Sequence, residues 1–308
     1  MSAFGWVIAG ALAILTVATI VGAELERRAK TPEGRATIAN LNARTRSWWV
    51  MALIFGGALA LGPTTTILLF AGLSFMALRE FWTLAPSRPG DHRALFLSFF
   101  VALPIHYGLL LDGWYGLFAV FIPVYAFLIL PAISTLAGDV KDFLSRTARV
   151  QWGLMLTVYM LSHAPALLML DTGSDTAMLV LYLVVVAQIS DVAQYVFGKL
   201  FGRTRFSPNV SPSKTVEGLV GGWAFAVLVG VALAPLTPFS LLQAAGMSLA
   251  IVVAGFFGGF VLSAVKRDLG AKDWGYVIQG HGGVLDRVDS IIFAAPIFFH
   301  LTRYWFTP

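Results

Sequence analysis

An all-α polytopic integral membrane protein of about ten transmembrane helices, both termini extracytoplasmic, is the fold class that the sequence predicts. Three observations carry this expectation. First, 58% of the 308 residues are hydrophobic and only 12% are charged, with a mean hydropathy of +0.79. Soluble domains carry about 25% charged residues; half that density cannot cover a surface against water, which excludes a soluble enzyme, a disordered tail and a fibrous protein. Second, apolar runs of span length alternate with charged breaks. Third, the basic residues sort onto alternate breaks. The formal charge of +5 fits loops lying against anionic headgroups, so no nucleic acid is expected as a partner. The absence of cysteine excludes disulfides, thiolate metal sites and cysteine nucleophiles.

A crossing helix needs about 20 mostly apolar residues, because the hydrocarbon layer is roughly 30 Å thick. Candidate runs lie near 3–22, 48–61, 64–83, 94–111, 114–136, 150–170, 176–197, 218–236, 239–262 and 288–306. The first is preceded by no basic residue and followed by Arg27, Arg28 and Lys30. That order is wrong for a cleaved signal peptide, so an anchor is expected. The second is short and ends at Gly62-Pro63, which suggests a tight helical hairpin with the third. Mixed charge over 24–47 suggests an amphipathic or irregular linker. The chain divides into N-terminal helices with this linker (1–170) and a C-terminal catalytic region (171–308).

With ten spans, the loops on one side hold 6, 3, 3, 4 and 4 Lys or Arg, which is 20 of 21. Only Arg303 lies towards the other face, where Asp112, Asp171 and Asp175 are found. Positive loops stay in the cytoplasm, so the basic end is expected to be cytoplasmic. A bacterial inner membrane is the expected location.

Polar chemistry concentrates after position 190. One cluster runs from Ser190-Asp191 through Lys199 and Arg203 to Ser211-Pro212-Ser213-Lys214-Thr215-Val216-Glu217-Gly218. The other, Ser263 to Asp289, holds four carboxylates, four Lys or Arg and a His within 27 residues. Interleaved charges of both signs suit phosphate chemistry. Carboxylates hold a divalent cation that bridges phosphates; Lys and Arg neutralise the remaining charge, and glycines admit backbone N–H groups. Mutual pairing of the charges in water is the plainer alternative. No Walker or Rossmann glycine motif occurs. Gly218-Leu219-Val220-Gly221-Gly222 reads instead as a close helix contact, and His106, His163 and His300 read as interior residues.

The spacing S-x-x-K-R-x4-K-D-x7-H-G-G-x2-D-R-x-D, here Ser263 to Asp289, closely resembles the signature of CDP-diacylglycerol synthases, the phosphatidate cytidylyltransferases. The upstream Ser190-Asp191…Gly198-Lys199 and Val210–Gly218 stretches are similar to that family's preceding motif. The resemblance covers about 186–300. It implies a membrane enzyme in which phosphatidic acid attacks the α-phosphorus of CTP, with Mg²⁺ and conceivably a second cation, to give CDP-diacylglycerol and pyrophosphate. CTP, phosphatidic acid and membrane lipids are the implied partners, and a homodimer is left open. Two positions depart from the pattern. Gly259 stands where the family has a metal-associated Asp, and Gln279 where it has Pro. Gly259 keeps open a catalytically impaired relative or an altered sequence; on composition alone a polytopic transporter is a further alternative.

Resemblance and chemistry together nominate the site. Asp286 is the preferred metal ligand, against a salt bridge to Arg287 or Lys272. Asp191 is a metal or nucleotide ligand, or else a helix-end carboxylate paired with Lys199. Asp273 and Asp289 stand evenly between ligand and structural partner. Lys266, Arg267 and Lys272, with Asp286, are the catalytic candidates; for Lys266 and Arg267 the alternative is snorkelling at a span end. Ser211, Ser213 and Lys214 resemble a phosphate-cradling turn. Ser263, His281, Gly282, Gly283 and Arg287 complete the expected substrate contacts.

The expected topology puts Ser2 and Ser87 on opposite sides of the membrane. Labelling of single cysteines in Ser2→Cys and Ser87→Cys should therefore require opposite sidedness of reagent. Labelling of both from one side contradicts the arrangement.

Overall fold

The computed structural model describes residues 3–29, 31–277 and 282–307. Ten long helices occur among them: α1 (Ala3–Arg28), α2 (Pro32–Leu61), α3 (Pro63–Leu84), α4 (Pro89–Leu111), α5 (Tyr115–Thr135), α6 (Phe143–Met169), α7 (Thr176–Phe201), α8 (Val216–Ala232), α9 (Leu241–Asp268) and α10 (Leu285–Phe306). Each overlaps one predicted run. Seven are long and apolar enough to cross a membrane. Of the other three, α8 has 17 residues, α2 opens on a polar segment, and α10 carries Asp286, Arg287 and Asp289 near its start.

Two expectations are corrected. The 24–47 segment is not an irregular linker: α1 continues to Arg28, and α2 begins at Pro32. Thr31 caps α2 by accepting from the Gly34 N–H, with Pro32 in the first turn, where its missing N–H costs nothing. Glu26 accepts from Asn42 Nδ2 at 2.7 Å and Thr19 from Trp49 Nε1 at 3.0 Å. The polar residues of this segment therefore zip α1 to α2. The chain is also not purely helical. Arg205–Ser207 (β1) and Ser211–Thr215 (β2) form an antiparallel hairpin, so Ser211 to Lys214 lie on a strand and not on a turn. Gly62 alone joins α2 to α3, as the expected helical hairpin requires.

Lipid tails are as apolar as leucine, so helices in a bilayer associate through close packing and small residues. The C-terminal helices follow this rule. At Gly222 a Cβ would lie 2.6 Å from the Gln194 main-chain nitrogen, and at Gly258 one would lie 2.6 Å from the Asp289 carbonyl oxygen. These contacts draw α8 onto α7 and α9 onto α10, confirming the 218–222 glycines as a close helix contact. Gly198 meets Gly218, Gly230 meets Ser248, and Gly255 meets Ser290, so α7, α8, α9 and α10 run alternately up and down. Helix α10 is central, burying Leu285, Val288, Ile291, Ile292, Ala295, Phe298 and Phe299. Tyr182 hydrogen bonds Ser248 Oγ at 2.6 Å and stacks on Phe298, which locks the far end of α7 to α9 and α10.

His106 and His163 are buried, bonded to Ser162 Oγ and the Tyr159 carbonyl oxygen at 2.8 Å each. His300, expected inside, is exposed.

A buried ion network closes the loop end of the N-terminal half. Arg146, with its side chain 2% exposed, meets Asp91 and Asp139 at 2.9 Å each and donates to the Lys141 and Asp139 carbonyls. Removing one member of a buried pair leaves an uncompensated charge, so Arg146→Ala should destabilise the fold by roughly 3–5 kcal/mol. Unfolding in detergent measures this. The hydrogen bond from Arg88 holds the Asp139 carboxyl below its ordinary value of 3.8. A depressed carboxylate stabilises the fold above its unfolded pKa and loses that contribution as pH falls through the folded one. Stability should therefore drop as pH falls below 3.8, and Asp139→Asn should flatten that limb of the profile.

Candidate functional site

Helix α9 stops in a way that aims its last turn. Gly270, at φ +72°, takes the left-handed conformation that ends many helices. The Ala271 N–H donates to the Lys266 carbonyl at 2.8 Å and the Gly270 N–H to that of Arg267 at 3.1 Å, the paired bonds of a glycine C-cap. Lys266 is left on the buried side of α9, and its Nζ donates to Asp286 Oδ1 at 2.6 Å. The other oxygen of Asp286 accepts from the Trp274 N–H at 2.8 Å and the Gly283 N–H at 2.9 Å. Both Lys266 and Asp286 are buried. The salt-bridge alternative for Asp286 is thus realised with Lys266, not with Arg287 or Lys272. Both Asp286 oxygens are thus engaged by donors of the protein itself.

Sequence reasoning missed Glu80. It reaches from α3 to the start of α10, where Oε1 accepts from the Val284 N–H at 2.9 Å and Oε2 from the Leu285 N–H at 2.8 Å. Helix N-termini carry unpaired N–H groups and a positive dipole end; here Glu80 supplies the anion. A side chain at Gly283 would collide with Glu80 Oε2, and one at Gly282, which holds φ +82°, would approach Asp286 Oδ2 to 2.7 Å. These glycines therefore admit the Glu80 and Asp286 carboxylates. Phe81 stacks on Trp274 with ring centroids 5.6 Å apart, pinning the loop from the same helix. The signal for Glu80 was in the sequence: a carboxylate inside an apolar run is a functional hypothesis by default.

A second cluster lies one turn further along α10. Asp289 sits within electrostatic reach of Asp191 on α7, of Lys214 on β2, and of Lys266 and Arg287. Asp191 in turn faces Lys214, Arg287 and Ser290; Lys199 instead lies by the Tyr195 ring. Ser290 Oγ is close enough to act on the Asp191 charge, yet it forms no hydrogen bond of ordinary geometry. Arg287 Nε is likewise buried without a partner, while the Arg287 carbonyl accepts from Gln188 Nε2 at 3.1 Å. Gly259 borders this cluster: a Cβ there would lie 3.3 Å from Asp289 Oδ2 and 3.7 Å from Lys214 Nζ. Lys214 Nζ is held 4.6 Å from the centroid of the Phe256 ring. The hairpin is tied down from both sides. Glu217 accepts from the Arg203 and Thr204 N–H groups, and Thr215 caps α8 through the Gly218 N–H.

The remaining nominees are spread around these two clusters. Ser263 Oγ turns back to its own helix, donating to the Gly259 carbonyl at 2.6 Å. Arg267 is exposed and donates to the carbonyls of Ala271 and Val210 at the hairpin turn. Ser213 is exposed and Ser211 half-buried; Pro212 between them accepts from the Arg205 guanidinium. Lys272 is exposed and pairs with no described residue. Asp273 is half-buried beside Gly282. His281 lies outside the described residues.

The donor chemistry decides what cation fits. Among the described residues no group of three or more His, Asp or Glu is placed to hold a metal ion. Asp191 and Asp289 are two carboxylates beside cations and orphaned polar atoms. That set does not form a closed protein cage. It suits Mg²⁺, which keeps several waters and is bound through one or two carboxylates plus substrate phosphates.

Residues 42–305 match the model of the cytidylyltransferase family. A protein of Escherichia coli strain K12 named "Uncharacterized protein YnbB" is 40% identical over 295 residues, covering 95% of this chain and 96% of that one. The phosphatidate cytidylyltransferase of Staphylococcus haemolyticus strain JCSC1435 is 29% identical over 263 residues, or 83% of this chain and 97% of its own. That of Staphylococcus aureus strain COL is 35% identical over 129 residues, 41% of this chain and 50% of its own. With the family model spanning α3 to α10 and every cluster described above, the chain belongs to the cytidylyltransferase family and is a nucleotidyltransferase enzyme.

Proposed function

We propose that the protein is a membrane-embedded phosphatidate cytidylyltransferase. A phosphate oxygen of phosphatidic acid attacks the α-phosphorus of CTP; the bond from that phosphorus to the β-bridging oxygen breaks, and pyrophosphate leaves. The observation that carries this reading is the placement of Asp191 and Asp289 among Lys214, Lys266 and Arg287. Phosphoryl-type transfer is driven almost wholly by positioning and electrostatic stabilisation, and this arrangement offers both. Asp191 and Asp289 would hold Mg²⁺, which when bound would supply positive charge against the phosphates. Lys214 and Arg287 would meet phosphate oxygens that the metal leaves uncovered. Lys266 and Asp286 keep the end of α9 and the start of α10 in register beneath the site. Lys272 and Arg267, both exposed, suit the incoming triphosphate. All ten helices are read as spans of a bacterial inner membrane, with the basic end and the site facing the cytoplasm. CTP would then enter from water and phosphatidate from the adjoining leaflet.

The direct test is pyrophosphate release by purified protein in detergent. Release that requires CTP, phosphatidate and Mg²⁺ together is expected. Absence of release under all conditions, in this chain and in the variant described next, contradicts the reading.

Gly259 favours a second reading, a weakened catalyst. A carboxylate at this position would enter between Asp289 and Lys214, and its Cβ has room to within a few tenths of an ångström. Gly259→Asp should raise turnover at least tenfold, about 1.4 kcal/mol in the barrier, and lower the Mg²⁺ concentration for half activity. A fast unmodified protein that Gly259→Asp leaves unchanged means that the metal is held differently.

The two clusters predict different mutants. Asp289→Asn should abolish metal-dependent turnover with little loss of stability. Asp286→Asn should abolish turnover and also destabilise the fold, because Lys266 would be left buried without its counter-ion. Comparing turnover with unfolding temperature for both variants separates the two roles.

A further inference from the structure

We infer that Glu80 is a positioning residue for the cation site, which extends the function proposed above and rests on it. Glu80 contacts no member of the Asp191–Asp289 cluster through a described hydrogen bond, and it lies more than 180 residues before the signature. Its two oxygens take the N–H groups of Val284 and Leu285, while the Gly283 N–H goes to Asp286. Three successive amide groups at the head of α10 are thereby held by two carboxylates. This sets the height and rotation of the helix. Asp289 lies one turn on from Leu285, so the face on which it meets Asp191 follows from where the first turn is fixed. Helix α3 is itself anchored well away from the site: Ser74 bonds Tyr107 at 2.7 Å, and Tyr107 donates to the Phe70 carbonyl at 3.0 Å. Glu80 thus transmits the fixed position of the N-terminal helices to a site made by the C-terminal ones.

Geometry supports this role over simple core filling. Glu80 is 4% exposed, both of its oxygens are engaged, and the glycine at 283 leaves no room for any other residue without displacing it. A leucine of similar size would fill the space but leave two buried N–H groups unpaired.

The test is Glu80→Gln with Mn²⁺ as the probe, read in the full-length protein in detergent. Gln keeps the volume and one acceptor oxygen, and removes the charge and the second acceptor. Three readouts are taken: Mn²⁺ affinity by electron paramagnetic resonance, exchange of the Val284 and Leu285 amides, and kcat with KM for CTP. Expected are at least tenfold weaker Mn²⁺ binding, faster exchange at those two amides alone, and a fall in kcat with KM for CTP little changed. Unchanged Mn²⁺ affinity and kcat in a folded variant overturns the inference. Should Glu80→Gln fail to fold, Gly283→Ala displaces the Glu80 carboxylate without removing it and must give the same Mn²⁺ and exchange pattern; wild-type Mn²⁺ affinity in that variant overturns the inference equally. The Mn²⁺ and exchange measurements need no turnover. If the unmodified protein makes no CDP-diacylglycerol, the proposed activity fails while these readouts still decide the role of Glu80.

Discussion

The N–H groups at the head of α10 are satisfied by Glu80 and Asp286 together, and the arrangement of the site follows from that. A helix end pointing into the middle of a bundle presents unpaired donors that lipid cannot satisfy. Glu80 comes to them from α3, and Asp286 folds back from the first turn to take the Gly283 and Trp274 amides while Lys266 neutralises it. Each partner depends on the next. Without Lys266, Asp286 would be a buried charge with no counter-ion. Glycine at 282 and 283 is the steric condition for all of it.

This arrangement separates structural carboxylates from available ones. Asp286 is engaged at both oxygens by Lys266 and by the Trp274 and Gly283 amides, whereas Asp289 accepts from the N–H of Ser290 at 2.8 Å and otherwise faces Asp191, Lys214 and Arg287. The catalytic need is for charge that can be presented to phosphate without reorganisation at the moment of reaction. In the proposed function Lys214 would meet it through its seat over Phe256, on a hairpin fixed by Glu217 and Thr215. Gly259 borders the same corner, its Cβ position 3.3 Å from Asp289 Oδ2 and 3.7 Å from Lys214 Nζ.

Much of the fold was legible because the bilayer imposes a simple rule: each apolar run of span length had one helix waiting for it. The exceptions have physical reasons. Residues 32–47 looked like a linker because they are polar, but Thr31 and Pro32 start a helix and Asn42 and Trp49 bond it to α1. The hairpin at 205–215 was hidden because Ser-Pro-Ser reads as loop punctuation, and only its pairing across the register makes it a strand. At the site, composition and spacing found both polar stretches and, with the family resemblance, put Asp286 first among their carboxylates, but could not show which of them the fold pairs internally. Asp286 and Asp289 look alike in sequence; what separates them is that Lys266 forms its direct ion pair with Asp286 and acts on Asp289 only from further off. Glu80 was overlooked because it belongs to neither stretch, and only the contact between α3 and α10 brings it in.

In the proposed function the cation binds at Asp191 and Asp289 while Asp286 stays paired with Lys266. A structure of the protein soaked with Mn²⁺ and CTP, with anomalous scattering to locate the metal, tests it most directly. The account predicts Mn²⁺ bound by Asp191 and Asp289 and by triphosphate oxygens, with the Lys266–Asp286 pair intact. Mn²⁺ bound by Asp286, with Lys266 swung away, would contradict it.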